Sequence, residues 1–193
     1  MGPTSRACAV FVAALLVAAS SSCAPPTGTT SPSASSPAPG VFVSARYRYT
    51  IKLPDGWAGT QADVTWAGTT WLAVDNLAVD RFGPAGGAGA AYGAAAPTTE
   101  SLDAWAAAGM AANLDEHKAF CPAKLQTVVE SVTIGGQPGT LESMNCGILI
   151  MTAFAVVHGE GYEFGLRDPA VQAATDPTDK ATFTTMLGSV VFH

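Results

Sequence analysis

The chain has 193 residues, a length that fits one domain with a leader or at most two small domains. Charged residues make up 12% and hydrophobic residues 48%, which excludes a disordered protein. Gly and Pro interrupt the apolar stretches too often for a helical membrane protein. The 9 Lys and Arg against 15 Asp and Glu give a net charge of −6. The cations are scattered, so we expect no nucleic-acid partner and no basic run that binds a membrane.

The first 22 residues have the pattern of a signal peptide. Arg6 precedes an unbroken apolar run from Ala7 to Ala19, and small residues follow it. A spanning helix needs roughly 20 apolar residues, which is more than this run has. A core helix is excluded as well, because a Ser/Pro tract that could not pack against the run comes next. We therefore expect residues 1–22 to direct export and to be removed.

Cys23 ends the tetrapeptide "SSSC", which resembles the lipobox of bacterial lipoproteins. In such proteins the Cys thiol receives diacylglycerol, and the chain is then cut before the Cys. Ser20 stands where that motif has an aliphatic residue, so ordinary cleavage after Ala19 stays open as the alternative. The resemblance implies lipidation of Cys23. It also implies anchoring to the outer face of the bacterial cell membrane, in the extracellular or cell-wall zone.

A disordered linker is expected between Cys23 and residue 40. Residues 24–40 contain only Ala, Pro, Thr, Ser and Gly, and this composition cannot bury enough surface to offset its ordering entropy. Fully extended, such a segment spans roughly 50 Å. The sequence therefore predicts one globular domain over residues 41–193, held away from the membrane.

The domain begins with predicted strands. Between Arg46 and Trp57, apolar residues alternate with polar ones, which predicts a strand that ends at the turn "PDG". A second extended stretch is predicted for residues 70–82. The segment "GPAGGAGAAYGAAAP" that follows is expected to form a Gly/Ala-rich loop with a short strand around Tyr92.

A helix is predicted for residues 98–120, with Thr98 or Thr99 as its N-cap. Pro122 forbids its continuation. One face carries an apolar stripe at helical spacing, formed by Leu102, Trp105, Ala106, Met110 and Leu114.

Three extended segments come next, over residues 125–134, 139–147 and 148–167, and the third is predicted to fold back as a hairpin at "HGEG". A last helix begins with Asp176 as cap and Pro177 in its first turn, and "SVVF" runs back along the sheet. This order predicts an α+β domain in which helices cover an antiparallel sheet.

Several stretches of the domain resemble one known fold. The stretches "YTIKLPDGW", "VTIGGQPG", "GEGYEF" and "FTTMLGSVVF" resemble the PsbP-like (Mog/PsbP, DcrB-type) α/β/α sandwich, and in particular uncharacterised lipoproteins of actinobacteria with that fold. The resemblance covers most of residues 41–193. It implies an accessory or binding protein, and it transfers no ligand site, because no residues here match the metal or photosystem contacts of the family.

Two cysteines remain in the domain, Cys121 and Cys146. In an exported domain we expect them to form a disulfide that joins the helix to the sheet. A redox or metal pair is the alternative, but the chain has no C-x-x-C and no zinc spacing.

No catalytic motif is present, and we expect neither a cofactor nor a metal. His117 in "DEHK" could be a base beside Asp115 or Glu116, but a cation at a helix end explains it better. His158 in "HGEG" is best explained as a hairpin-turn residue, because the deaminase signature needs a later P-C-x-x-C.

Two stretches are candidates for a binding surface. Trp66 and Trp71 lie among small residues, and Trp is a frequent interface anchor, although core packing is the competing interpretation. Arg167 and Asp168 open a loop in which a local salt bridge is the competing interpretation.

Three functions follow from these patterns. The first is a non-enzymatic, lipid-anchored domain that binds an unknown envelope protein or component. The second is a carrier of an apolar ligand or lipid, which requires a pocket between sheet and helix. The third is a hydrolase with an unrecognised site, which requires His117 or His158 to meet a nucleophile and a carboxylate.

Overall fold

The computed structural model describes residues 40–68, 72–86, 90–119, 121, 127–146, 148–167 and 177–193. The predicted leader, Cys23, the linker up to residue 39 and the predicted cap Asp176 lie outside them. The helices and strands are, in chain order, β1 (Val41–Ser44), β2 (Tyr49–Lys52), β3 (Trp57–Thr60), β4 (Asp80–Pro84), β5 (Ala91–Pro97), α1 (Leu102–His117), β6 (Thr127–Ile134), β7 (Gln137–Asn145), β8 (Leu149–Val157), β9 (Glu160–Arg167), α2 (Pro177–Gly188) and β10 (Val191–Phe192).

Seven of these strands form one antiparallel sheet in the order β3-β4-β5-β9-β8-β7-β6. The three extended segments predicted after α1 are confirmed as β6 to β9. The predicted hairpin at "HGEG" is confirmed as well. His158 and Gly159 have positive φ angles of 53° and 80°, which a two-residue hairpin turn matched to the strand twist requires.

A second, three-stranded sheet in the order β1-β2-β10 covers one face of the large sheet, together with α2. Tyr49 of β2 packs edge-on against Phe164 of β9, with ring centroids 5.2 Å apart. Phe192 of β10 lies 4.5 Å from the ring of Tyr162. The predicted return of "SVVF" along a sheet is thus confirmed, because Val191 is paired with Thr50.

The other face of the large sheet is covered by α1. Neighbouring residues of a strand face opposite sides of the sheet, so Gly161 faces away from the small sheet that Tyr162 contacts. The Trp105 ring of α1 lies over Gly161 on that side. The Trp105 indole Nε1 donates to the Tyr162 carbonyl at 3.2 Å. The predicted fold class, an antiparallel sheet covered by helices, is confirmed.

Two predicted strands are shorter than the alternation pattern indicated. The strand predicted from Arg46 to the turn "PDG" is paired only over Tyr49–Lys52, because a turn occupies the residues before it. Of the extended stretch predicted for 70–82, residues 70 and 71 lie outside the described residues, and the prediction is wrong for 72–79 and confirmed for the end in β4. Asn76 N donates to the Ala73 carbonyl at 3.0 Å and Asn76 Oδ1 accepts from Ala78 N at 2.8 Å, and these hydrogen bonds form turns before β4.

The short strand predicted around Tyr92 is confirmed, but it is longer than expected: Ala91–Pro97 is strand β5 in the interior of the large sheet, where most residues were predicted to form a loop. Ala94, Ala95 and Ala96 are buried. Small side chains are needed here because large ones reach over β5, and the Tyr49 hydroxyl lies 2.5 Å from where a Cβ on Gly93 would be. Low intrinsic strand propensity is outweighed by this packing.

Helix α1 is also shorter than predicted, and its N-cap is Ser101 rather than Thr98 or Thr99. The Ser101 hydroxyl accepts from Ala104 N at 3.3 Å. Leu114, predicted in the apolar stripe, is 49% exposed, and Asn113 takes the buried position beside it.

The predicted disulfide between Cys121 and Cys146 is confirmed, with Cα atoms 4.4 Å apart. Cys121 follows α1, and Cys146 is the residue after β7. The bond therefore joins the end of the helix to the sheet beneath it.

Candidate functional site

The residues predicted as a binding surface do not form one in the described part of the chain. Trp66 is 5% exposed and packs edge-on against Trp105 with ring centroids 5.6 Å apart, which corrects its assignment to a surface. Arg167 is exposed at the end of β9, where its backbone N–H donates to the Ala90 carbonyl. Trp71 and Asp168 lie outside the described residues.

The two histidines weighed as catalytic bases lie towards opposite ends of α1. His117 is the last residue of the helix, and its Nδ1 lies 2.8 Å from the Asn113 carbonyl. His158 is exposed in the β8–β9 turn, and the next residue, Gly159, accepts from Thr98 N just before the helix begins. A 16-residue helix is about 24 Å long, so the two histidines cannot share one site.

A buried acidic cluster lies beneath α1, on the face of the sheet that the helix covers. Its members come from five elements and are all at most 6% exposed. They are Tyr92 of β5, Asn113 of α1, Glu142 of β7, Thr152 of β8 and Glu163 of β9. The sheet register aligns Tyr92, Gly165, Thr152 and Glu142 across four neighbouring strands.

Neutral donors satisfy the two carboxyl groups of this cluster. The Tyr92 hydroxyl donates to Glu163 Oε1 at 2.8 Å. The Asn113 amide donates to Glu142 Oε2 at 2.9 Å and to Thr152 Oγ1 at 3.1 Å. These hydrogen bonds fix the helix on the sheet, because a buried acid or amide that lost its partner would cost stability.

Burial changes the acid–base properties of the cluster. It raises the pKa of Glu163 from the usual 4.5 to about 7, while the Tyr92 hydrogen bond lowers this pKa and the Glu142 charge raises it. Burial also raises the pKa of Glu142, against the effect of the Asn113 hydrogen bond. Glu163 therefore exchanges its proton near neutral pH.

The sequence contains only part of the signal for this cluster. Asn113 lies three and seven residues after Met110 and Ala106, on their side of the helix, so its burial could have been anticipated. Glu163 lies between Tyr162 and Phe164 and Glu142 follows Leu141, so both acids resemble residues on a solvent-exposed strand face. Only the position of α1 over that face shows that both acids are buried.

A second buried acid, Asp80, fixes the segment before β4 to the small sheet. Tyr49 Oη donates to Asp80 Oδ2 and Ala62 N donates to Asp80 Oδ1, both at 2.8 Å. Burial raises the pKa of this carboxyl, and these hydrogen bonds and Arg46 lower it. Both oxygens of the Asp80 carboxyl accept hydrogen bonds from the protein itself, so we assign Asp80 a structural role.

Strand β6 forms one edge of the large sheet and presents apolar side chains to solvent. It has eight residues, it pairs with β7 on one side, and no other described strand pairs with it. Val128 and Val129 are 56% and 52% exposed and point to opposite faces. Glu130 forms an ion pair with Lys180 of α2 at 2.5 Å. The strand contains neither Lys nor Pro, the residues that commonly protect such edges from pairing with another chain.

One shallow groove of about 390 Å³ lies between the end of β2 and α2, lined by Leu53, Pro54 and Met186 among others. Another, of about 400 Å³, follows β4 and includes Arg81 and Phe82. Neither lies between the large sheet and α1.

The α1 interface is packed closely, since a Cβ on Gly109 would lie 2.3 Å from the Phe154 ring. Over the described residues, no group of three or more His, Cys, Asp and Glu could hold a metal ion. No helix among these residues is long and apolar enough to span a membrane.

Comparison with known proteins supports the fold. No protein-family model matches the chain, and no curated protein matches it. Among solved structures, the chain is similar to cyanobacterial PsbP (CyanoP) from Synechocystis sp. PCC 6803, with a TM-score of 0.51 and 14% sequence identity. The alignment covers 79% of this chain and 91% of the cyanobacterial protein. The chain therefore has a PsbP-like fold.

Proposed function

We propose that the protein is an exported bacterial lipoprotein of actinobacterial type, anchored through Cys23, whose domain is a non-enzymatic accessory module that binds a protein of the cell envelope. The leader and the "SSSC" junction support export and anchoring. The PsbP-like fold supports an accessory or binding domain. Tethering adds to this function, because it confines the domain near membrane partners and raises its effective concentration there.

The observation that carries partner binding is the edge of β6. An exposed edge strand offers backbone N–H and C=O groups that an extended segment of another protein can pair with, and alternate side chains give specificity. Val129 points to the α1 face and Val128 to the α2 face, so an added strand would meet one apolar side chain on each side. The ion pair with Lys180 already satisfies Glu130, the one charge on this strand. The partner we infer is a protein with an extended, largely uncharged segment.

The two alternative functions have weaker support. A lipid carrier needs a pocket between sheet and helix, and the described α1 interface is filled by Trp105 and Phe154 instead. A hydrolase requires His117 or His158 to meet a nucleophile and a carboxylate. The Nδ1 of His117 lies 2.8 Å from the Asn113 carbonyl and His158 is exposed in the β8–β9 turn, and neither observation supports such a site.

Replacing Val128 and Val129 together by Lys tests the binding site. Lys on both sides of the edge disfavours pairing with another strand, and both side chains are half-exposed, so the fold should tolerate the change. The tagged, full-length chain is cross-linked in intact cells of its host, and captured proteins are quantified by mass spectrometry. We expect at least one envelope protein to be lost about tenfold, equivalent to about 1.4 kcal/mol.

The matched control is Val64→Lys, an exposed valine between β3 and β4 that is 49% exposed and lies outside both β6 and the small sheet. It should leave capture of that protein unchanged. An identical set of captured proteins with the β6 variant and the parent chain would reject the edge as the binding site.

A further inference from the structure

The small sheet has an outer face that no described element covers. Phe42, Tyr49 and Ile51 point inward and are buried. On the opposite side, the strand register places Val43 of β1 and Val191 of β10 on either side of Thr50. Val43 is 43% exposed and Val191 53% exposed, so an apolar pair lies across this face.

The charged residues of these three strands and the turn between β1 and β2 are all cations. Arg46, Arg48 and Lys52 are exposed, and residues 40–53 and 189–193 contain no Asp or Glu. Arg46 donates to the Ala62 and Asp63 carbonyls and to the Thr65 hydroxyl, which are neutral acceptors.

The acids close to these cations belong to other parts of the chain. Asp63 is exposed and pairs with Arg81, and its carbonyl accepts from Arg46. Asp80 is buried beneath the sheet, and Glu160 raises the pKa of Tyr162 while Arg48 lowers it. Asp55 lies in the turn after β2. In a chain of net charge −6, this face is locally basic. Arg46, Arg48 and Lys52 lie within seven residues of the sequence, and the sheet places Val191 of the distant β10 beside them.

The segment that leads to Cys23 joins the domain at this sheet. Gly40 directly precedes β1, and its carbonyl accepts from Leu53 N at the end of β2 at 2.7 Å. The proposed tether would enter the domain at this point, which would allow the small sheet to reach the membrane.

We propose that the outer face of the β1-β2-β10 sheet docks on anionic lipid headgroups. Lys52 and Arg48 would contact lipid phosphates, and Val43 and Val191 would enter the interfacial layer. A surface of cations around apolar side chains fits an anionic bilayer, where each cation adds affinity. The proposal rests on the proposed function, which places the domain at a membrane. Three cations bind weakly by themselves, and the tether makes the contact effective.

Vesicle binding tests this face without the anchor. The probe is the chain from residue 23 with Cys23→Ser, which cannot be acylated. We expect it to sediment with phosphatidylglycerol vesicles at low salt, and to bind neither phosphatidylcholine vesicles nor phosphatidylglycerol at high salt. Lys52→Glu and Val191→Asp should each weaken binding at least about fivefold.

Matched controls lie on other elements. Lys118→Glu changes an exposed cation just after α1, which pairs with Asp115 of the helix. Val128→Asp changes an exposed strand valine of β6. Both should bind like the parent chain, with melting temperatures confirming that each variant folds. Absence of phosphatidylglycerol binding, or equal losses in the controls, would overturn the proposal.

The result is independent of what happens to Cys23. Vesicle binding together with an unmodified native N-terminus would keep the docking face and reject the anchor. A lipidated Cys23 together with no vesicle binding would support the anchor and reject the docking face.

Discussion

The Glu163 carboxyl group lies beneath α1 with 4% of the residue exposed, and the phenol of Tyr92 donates a hydrogen bond to it. Ionising it in the folded state places a charge where water cannot stabilise it and close to the Glu142 carboxyl. The folded protein therefore keeps a proton on Glu163 up to about pH 7, whereas the unfolded chain releases it near pH 4.5.

This difference predicts a pH-dependent stability. Between pH 4.5 and about 7 the folded state binds more protons than the unfolded state, so the free energy of unfolding falls as the pH rises. The loss from this group is complete above pH 7 and amounts to about 3 kcal/mol. Glu163→Gln cannot ionise but still accepts from Tyr92, so its stability relative to the parent chain should increase over this range.

Urea denaturation at pH values from 4.5 to 8.5 measures this effect. Glu116→Gln, at an exposed glutamate of α1, is the control and should follow the parent chain at every pH. A constant difference in unfolding free energy between Glu163→Gln and the parent chain would contradict the raised pKa.

At the scale of elements, α1 lies close to the sheet because glycines leave room for its large side chains. Gly161 lies under the Trp105 ring, and Gly109 of the helix lies against the Phe154 ring. Each contact combines a glycine with an aromatic residue on the opposite layer. The position of α1, and with it the burial of the acidic cluster, depends on these contacts.

Gly161→Ala tests this packing. Its Cβ would lie 2.4 Å from Trp105 Cε2, so the helix or the indole must move, and we expect the free energy of unfolding to fall by about 1–3 kcal/mol. Gly188→Ala, at the end of α2, meets no atom within 4 Å and should change stability by less than about 1 kcal/mol. Equal melting temperatures for the two variants would show that Gly161 does not limit the approach of α1.

The sequence predicted the elements that local signals define. The β8–β9 hairpin follows from "HGEG", and the last helix and returning strand follow from Pro177 and "SVVF". The short strand predicted around Tyr92 is part of β5, but the full length of β5 could not be predicted, because Ala and Gly have low strand propensity and its burial comes from distant residues such as Tyr49. The acidic cluster combines strands far apart in the chain, so no local pattern reveals it. The cations of the basic face lie together in residues 46–52, and only the fold places Val191 beside them.

At the scale of the whole molecule, the proposals describe a domain whose position is set by its attachment. The proposed linker would reach roughly 50 Å if fully extended. A domain held by it can lie on the lipid through the small sheet or reach outward with β6. Both proposed surfaces belong to strands, and they lie in different sheets. Lipid docking and partner binding therefore need not compete for the same residues.

The mass of the N-terminal peptide of the protein purified from membranes of its host tests this account most directly. The account predicts a chain that begins at Cys23 and carries diacylglycerol on the thiol, in the membrane fraction. Cys23→Ser should release the protein from that fraction. An unmodified N-terminus at Ser20, which ordinary cleavage after Ala19 would produce, would contradict the anchor and the membrane location argued from it.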